Sequence, residues 1–217
     1  KIMIRAIIFD FDGVIVESVN IKSDAFAYIY RAHGNDVVDK VVTHHLANGG
    51  MSRFDKFRLY HKEFLGVDLT KSKLADLANQ FSHLVVDKVI ASPYVPGAYE
   101  FLSEFYNLYD LYISTGTPED EIIRILEAKQ IMGFFRGVYG SPNKKSIHAS
   151  RILRDGNYRC NEVVFVGDSF SDRDAARENN IPFIARVAEA NGQLESEKVT
   201  ILNLENFSEK IGEIIIP

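Results

Sequence analysis

The run from Ile4 to Phe9 is rich in β-branched and aromatic side chains and stops abruptly at Asp10-Phe11-Asp12-Gly13. A short apolar run of this kind is the mark of a strand buried on both faces, as in a parallel sheet. Strand residues alternate in direction, so Asp10 and Asp12 can point to the same side while Phe11 turns into the core. Parallel sheets place their sites at the carboxyl ends of their strands, which is where this acidic pair falls.

The rest of the chain separates into two characters. From about Ser18 to Ile90 the apolar residues recur at helical spacing, as in Ala25, Phe26, Ile29 and Tyr30, or Leu74, Leu77, Ala78, Phe81, Leu84 and Val85. No strand-like run of comparable strength occurs there. After Pro93 and Pro96-Gly97, strands and helices alternate. Strands are expected near 108–113, 137–139, 163–166, 182–185 and 199–202, with an amphipathic helix in the tail. The second of the core strands should end in Ser114-Thr115-Gly116-Thr117-Pro118, with a helix starting at Pro118 and carrying Glu119, Asp120 and Glu121 at its positive end. This pattern implies an α/β fold, a Rossmann-like parallel sheet core covered by helices on both faces. Residues 1–14 and 92–217 would form the core, and 15–91 an inserted α-helical cap over the site.

Bulk properties narrow the partners. The chain has 217 residues, 46% hydrophobic and 25% charged, enough to bury a sizeable core. Its net charge of -5 argues against nonspecific nucleic-acid binding, which needs a basic footprint. The first apolar run is too short to span a membrane. A single cysteine, Cys160, excludes an internal disulfide framework and fits a reducing, cytoplasmic compartment. Oligomeric state stays open.

The chemistry gathers at strand ends. Asp10 and Asp12 follow the first strand, and Asp168 follows Val163 to Val166. Carboxylates collected at one sheet edge repel each other unless a cation sits between them, and Mg²⁺, a hard ion with oxygen ligands, is the simplest occupant. Phosphoryl transfer also needs a nucleophile in line, a proton donor for the leaving oxygen, and donors around the phosphoryl oxygens. Ser114 and Thr115 supply hydroxyls just before a helix N-terminus. The loop Gly140-Ser141-Pro142-Asn143-Lys144-Lys145 opens a helix with a lysine available as a point charge.

Asp10-Phe11-Asp12-Gly13-Val14 resembles the DxDG[VT] signature of the haloacid dehalogenase superfamily. Ser114 matches its second motif. Lys145, rather than Lys144, matches the third-motif lysine by its distance to Ile152-Leu153, and Val163 to Asp172 resembles the fourth motif, hhhhGDSxxD. The segment from Glu119 to Pro142 resembles the phosphoglycolate phosphatase and beta-phosphoglucomutase-like branch. The resemblance implies that Asp10 attacks phosphorus and forms an aspartyl-phosphate, while Asp12 protonates the leaving alcohol and then deprotonates the hydrolytic water. It implies Mg²⁺ held by the Asp10 side chain, the Asp12 backbone carbonyl and Asp168. Asp172 would stand behind this shell or cap its helix. Dehalogenases lack the carboxylate that Asp12 provides, so dehalogenation is not expected.

In the inserted block, Gly-x-Ser-Arg at Gly50-Met51-Ser52-Arg53 resembles the cap loop of beta-phosphoglucomutase. On that likeness Arg53, helped by Lys56, would bind a remote anionic group of the substrate. Lys22 stands where that enzyme has a cap histidine. His44 and His45 are adjacent and lack metal-ligand spacing, and His33, His44, His45, His61, His83 and His148 read as surface or cap-packing residues. The expected function is Mg²⁺-dependent hydrolysis of a small phosphate monoester, a phosphorylated metabolite. A sugar-phosphate mutase on the same scaffold is the alternative, and a phosphate- or metal-binding module without turnover is a third reading.

Overall fold

The structure is a computed structural model that describes residues 3–188 and 194–213. In chain order the elements are β1 (Ala6–Phe9), α1 (Val19–Tyr30), α2 (Asn35–Ala47), α3 (Arg53–Leu59) and α4 (Lys71–Ala91). Then follow α5 (Ala98–Phe105), β2 (Asp110–Pro118), α6 (Glu119–Ala128), β3 (Gly137–Ser141) and α7 (Lys145–Asp155). The chain ends with β4 (Val163–Gly167), α8 (Phe170–Glu178), β5 (Phe183–Arg186), β6 (Thr200–Ile201) and α9 (Phe207–Glu213).

The strands form one six-stranded sheet in the order β3-β2-β1-β4-β5-β6, and every pairing is parallel. The chain runs outward from β1 on one side through β2 and β3, then returns to β4 beside β1 and runs outward on the other. The crevice at the top of β1 is therefore a topological switch point, the place where such sheets bind ligands. Phe9 lies in register with Ile113 on β2 and Val166 on β4, so β1 and β4 end almost level while β2 runs on beside them to Pro118.

Alternation along the strands sorts the core into two layers. Ile7, Phe9, Leu111, Ile113, Val164 and Val166 face one side, where α5, α6 and α9 cover them. Ala6, Ile8, Tyr112, Val163 and Phe165 face the other, against Ala149 and Ile152 of α7 and Ala175 and Ala176 of α8. The second core strand differs from its expected end. Rather than stopping at residue 113, β2 continues through Ser114–Thr117, with an irregularity in its pairing to β3 before Pro118 meets Ser141.

The helices α1–α4 lie between β1 and α5 and build around an aromatic cluster of Phe26, Tyr30, Phe57, Tyr60 and Phe81, all buried. Two crossing segments join this block to the rest. Glu17 N donates to the Pro93 carbonyl at 3.0 Å, and Val95 N donates to that of Ile15 at 3.0 Å. Among the described residues, no helix is long and apolar enough to cross a membrane.

Candidate active site

Asp10 follows β1 and is almost fully buried. One carboxylate oxygen accepts a 2.7 Å hydrogen bond from the Phe11 backbone N–H, and the other lies 2.8 Å from Lys145 Nζ. Lys145 is the first residue of α7, and its ammonium also donates to Asp172 Oδ1 at 2.6 Å. Lys144 precedes the helix and is exposed, so Lys145 is the one of the two lysines that lies against Asp10. Burial opposes the charge on Lys145, but Asp10 and Asp172 outweigh it and push its pKa up. Asp172 is fixed in turn by Ser169, whose N–H and Oγ donate to Asp172 Oδ2 at 3.1 and 2.5 Å. It therefore caps α8 and holds Lys145 at once.

Oxygens of Asp10, Asp168 and Asp172 lie within 4.8 Å of one another. Burial, with Asp172, Asp168 and Asp12 adding repulsion against the pull of Lys145, drives the Asp10 pKa well above the usual carboxylate range. A divalent cation with oxygen ligands would relieve this crowding, so the donor set fits Mg²⁺. Gly13 brings the two loops together: it has φ +76°, and a Cβ there would lie 2.1 Å from Asp168 Oδ2. A side chain at that position would displace the acid.

The Asp12 carboxylate is engaged elsewhere. It accepts from Ser18 Oγ at 2.6 Å, from Lys22 Nζ at 2.5 Å and from Thr117 Oγ1 at 3.3 Å. Burial acts to raise its pKa, but the Lys22 ammonium and these hydrogen bonds win and hold it below the ordinary value. Its side chain is thus not part of the acidic cluster of Asp10, Asp168 and Asp172. Lys22, on α1, also donates to Thr117 Oγ1 at 2.8 Å.

Two expectations need correction. Ser114 is fully buried, and its Oγ lies 2.9 Å from His148 Nδ1 on α7 rather than in the cavity. His148 Nε2 lies 3.1 Å from the Gly140 carbonyl. Burial and the neighbouring Lys145 push the His148 pKa down to about 4, so the neutral ring donates from Nε2 and accepts the serine hydroxyl at Nδ1. Neighbouring strand residues face opposite ways, and Thr115, not Ser114, lines the cavity. The second correction is Arg53. Its guanidinium makes a buried, two-pronged ion pair with Glu121 of α6, one arm at 2.9 Å, and donates to Ser82 Oγ at 2.7 Å. It also stacks 4.6 Å from the Phe81 ring centroid. Its charge is spent on joining the helical block to the core.

The cavity measures about 190 Å³. Asp10, Asp12, Thr115, Thr117, Lys145 and Asp168 line it from the sheet edge, and Lys22, His45, Met51, Arg53, Lys56 and Phe81 from the helical block. Here the helical block sits down on the core: a Cβ at Gly50 would lie 1.6 Å from Ser171 Oγ, and one at Gly116 would lie 3.0 Å from the Gly50 carbonyl. Sequence reasoning missed Thr117, His148, Glu121 and Arg186. Arg186 pairs with Glu17 at 2.6 Å and donates to the Gly13 carbonyl at 2.8 Å, tethering the first loop. Each depends on a partner distant in the chain, so no local motif marks it.

Residues 7–186 match the family of haloacid dehalogenase-like hydrolases. A phosphoglycolate phosphatase of Photorhabdus laumondii is 28% identical over 99% of this chain and 94% of its own length. The fold is similar to that of a beta-phosphoglucomutase from Clostridium difficile, with a TM-score of 0.78, 19% identity, and coverage of 99% of this chain and 100% of that one. A haloacid dehalogenase-like hydrolase from Streptococcus pneumoniae gives a TM-score of 0.65 at 21% identity, covering 91% of this chain and 93% of that one. With the acidic cluster and its lysine at the switch point of a parallel sheet, the chain belongs to the haloacid dehalogenase-like hydrolases.

Proposed function

We propose that this enzyme hydrolyses a small phosphorylated metabolite with Mg²⁺ as cofactor and Asp10 as covalent nucleophile, the helices α1–α4 acting as a cap that closes over the site. The observation that carries the reading is the Asp10 carboxylate, held by Lys145 at 2.8 Å beside Asp168 and Asp172 and lining the cavity. Asp10, Asp168 and the Asp12 carbonyl would hold the metal, whose charge, when bound, offsets that of the phosphoryl oxygens and the nucleophile.

An Asp10 oxygen attacks phosphorus, the bond to the leaving oxygen breaks, and an aspartyl-phosphate forms. Lys145 donates to a phosphoryl oxygen, and Thr115 offers a hydroxyl at the same end of the cavity. The departing alkoxide needs one proton. The Asp12–Lys22 pair holds one within 2.5 Å of the Asp12 carboxylate, next to the space the leaving group occupies. Water then attacks the aspartyl-phosphate, Asp12 as a carboxylate takes its proton, and phosphate leaves with Asp10 restored.

A panel of phosphorylated metabolites, assayed with Mg²⁺ for released phosphate, tests the reading. Turnover of at least one small phosphate monoester is expected. Conversion of a sugar phosphate to its isomer without phosphate release would favour the mutase alternative. Stable phosphorylation without product would favour a binding role.

A further inference from the structure

Arg186 is the last residue of β5 and lies 6% exposed in the wall of the cavity. Its guanidinium spends its donors on three separate segments. Nη1 donates to the Gly13 carbonyl at 2.8 Å and to Glu17 Oε2 at 3.0 Å, Nη2 to Glu17 Oε1 at 2.6 Å, and Nε to the Leu202 carbonyl at 3.0 Å. Gly13 is pinned on its other side as well, its N–H donating to the Val16 carbonyl at 2.8 Å. A peptide unit is planar and trans, so fixing the Gly13 N–H fixes the direction of the Asp12 carbonyl, which points the opposite way. The same glycine stands so close to Asp168 that a Cβ on it would lie 2.1 Å from Oδ2. The Asp12 carbonyl and the Asp168 carboxylate, both proposed above for Mg²⁺, thus meet at Gly13, and Arg186 holds Gly13 from β5.

We propose that Arg186 is a positioning residue for Mg²⁺: by fixing Gly13 it holds the Asp12 carbonyl beside Asp168 and so sets the metal affinity, without being a ligand itself. This deepens the Mg²⁺-dependent reading above and rests on it. A cation in this wall would by itself repel a metal ion, and Glu17 removes that objection. Its carboxylate takes both arms of the guanidinium, so the N–H reaches Gly13 with its charge offset. The planar fork serves all three segments at once, which the compact ammonium of a lysine cannot do. Groups that orient metal ligands from behind change metal affinity by about tenfold to a hundredfold when they are removed.

Calorimetric titration of Mg²⁺ into the whole enzyme, without substrate, tests this on the wild type, Arg186→Met and Arg186→Lys, with folding verified by circular dichroism. Arg186→Met should weaken Mg²⁺ binding about tenfold or more. Arg186→Lys, which keeps a charge for Glu17 and part of the donation, should fall between the two, and it keeps the test readable should Arg186→Met fail to fold. The Mg²⁺ concentration for half-maximal phosphate release from para-nitrophenyl phosphate should rise by the same factors. Were Arg186 to act only through its charge, Arg186→Met would bind Mg²⁺ more tightly, because a positive charge is gone and Glu17 is freed. Were it to act only on stability, the urea midpoint in chelator would fall with Mg²⁺ affinity unchanged. Either result would overturn the proposal. A wild-type enzyme that binds no Mg²⁺ would defeat the metal reading itself, whereas equal binding by all three proteins would defeat only this proposal.

Discussion

Ser114 and Thr115 are adjacent on β2 and chemically similar, yet their hydroxyls meet different worlds. Thr115 lines the cavity, and Ser114 closes a buried chain of hydrogen bonds through His148 to the Gly140 carbonyl. Thr115→Val should therefore lower kcat/KM by about tenfold to a hundredfold with little change in folding, the scale of one hydrogen bond to a charged group. Ser114→Ala should leave catalysis within a few-fold and instead cost about 1–3 kcal/mol, because His148 Nδ1 loses its partner in the interior. Steady-state kinetics beside urea unfolding of both variants checks the contrast, and the reverse pattern would return Ser114 to the site. His148 adds a pH dependence. Its folded pKa of about 4 lies below the unfolded value of about 6.5, so below that value the unfolded chain binds more protons. Stability should fall as pH drops from about 6.5 towards 4, and urea midpoints across that window should show it. A flat profile would mean that His148 is not held neutral. The sequence named Asp10, Asp12, Lys145 and Asp168 because each belongs to a compact local pattern. It assigned the second motif to Ser114 and named Thr115 only beside it, because the correct choice depends on where a histidine from α7 comes to rest.

At the scale of elements, α3 and α6 are joined by a buried arginine. The acids Glu119, Asp120 and Glu121 read in sequence as compensation for the α6 dipole, but Glu121 turns instead to Arg53 and Ser82 of the helical block. Breaking such a pair strands one charge in the interior, so Arg53→Ala should cost about 3–5 kcal/mol. Because the pair joins the block to the core, the variant should lose activity equally on a doubly anionic ester and on para-nitrophenyl phosphate. A loss confined to the doubly anionic ester would instead make Arg53 a substrate reader. Helical periodicity was enough to reveal the inserted helices, and apolar runs revealed the strands. The end of β2 was not legible, since its Ser-Thr-Gly-Thr stretch looks like a loop and stays extended only through renewed pairing at Pro118 and Ser141. Nor was the Arg53–Glu121 pairing, which no periodicity encodes.

For the whole molecule, the strand order places β1 at the switch point and brings the ends of β1 and β4 level, so that acids far apart in the chain share one edge. The helical block closes that edge into a cavity through Lys22, Gly50 and Arg53. Clustered carboxylates in such a space call for a metal, so chelation should abolish turnover and added Mg²⁺ should restore it. Asp168→Ala should shift the Mg²⁺ titration to much higher concentration, and an unchanged titration would remove Asp168 from the site. The central claim is that Asp10 is the covalent nucleophile, and the measurement that tests it most directly is phosphate release by purified Asp10→Asn in saturating Mg²⁺, with folding verified by circular dichroism. An amide cannot carry the phosphoryl group, so the account predicts a loss of several orders of magnitude. A folded variant that keeps more than about a tenth of the wild-type rate would contradict it.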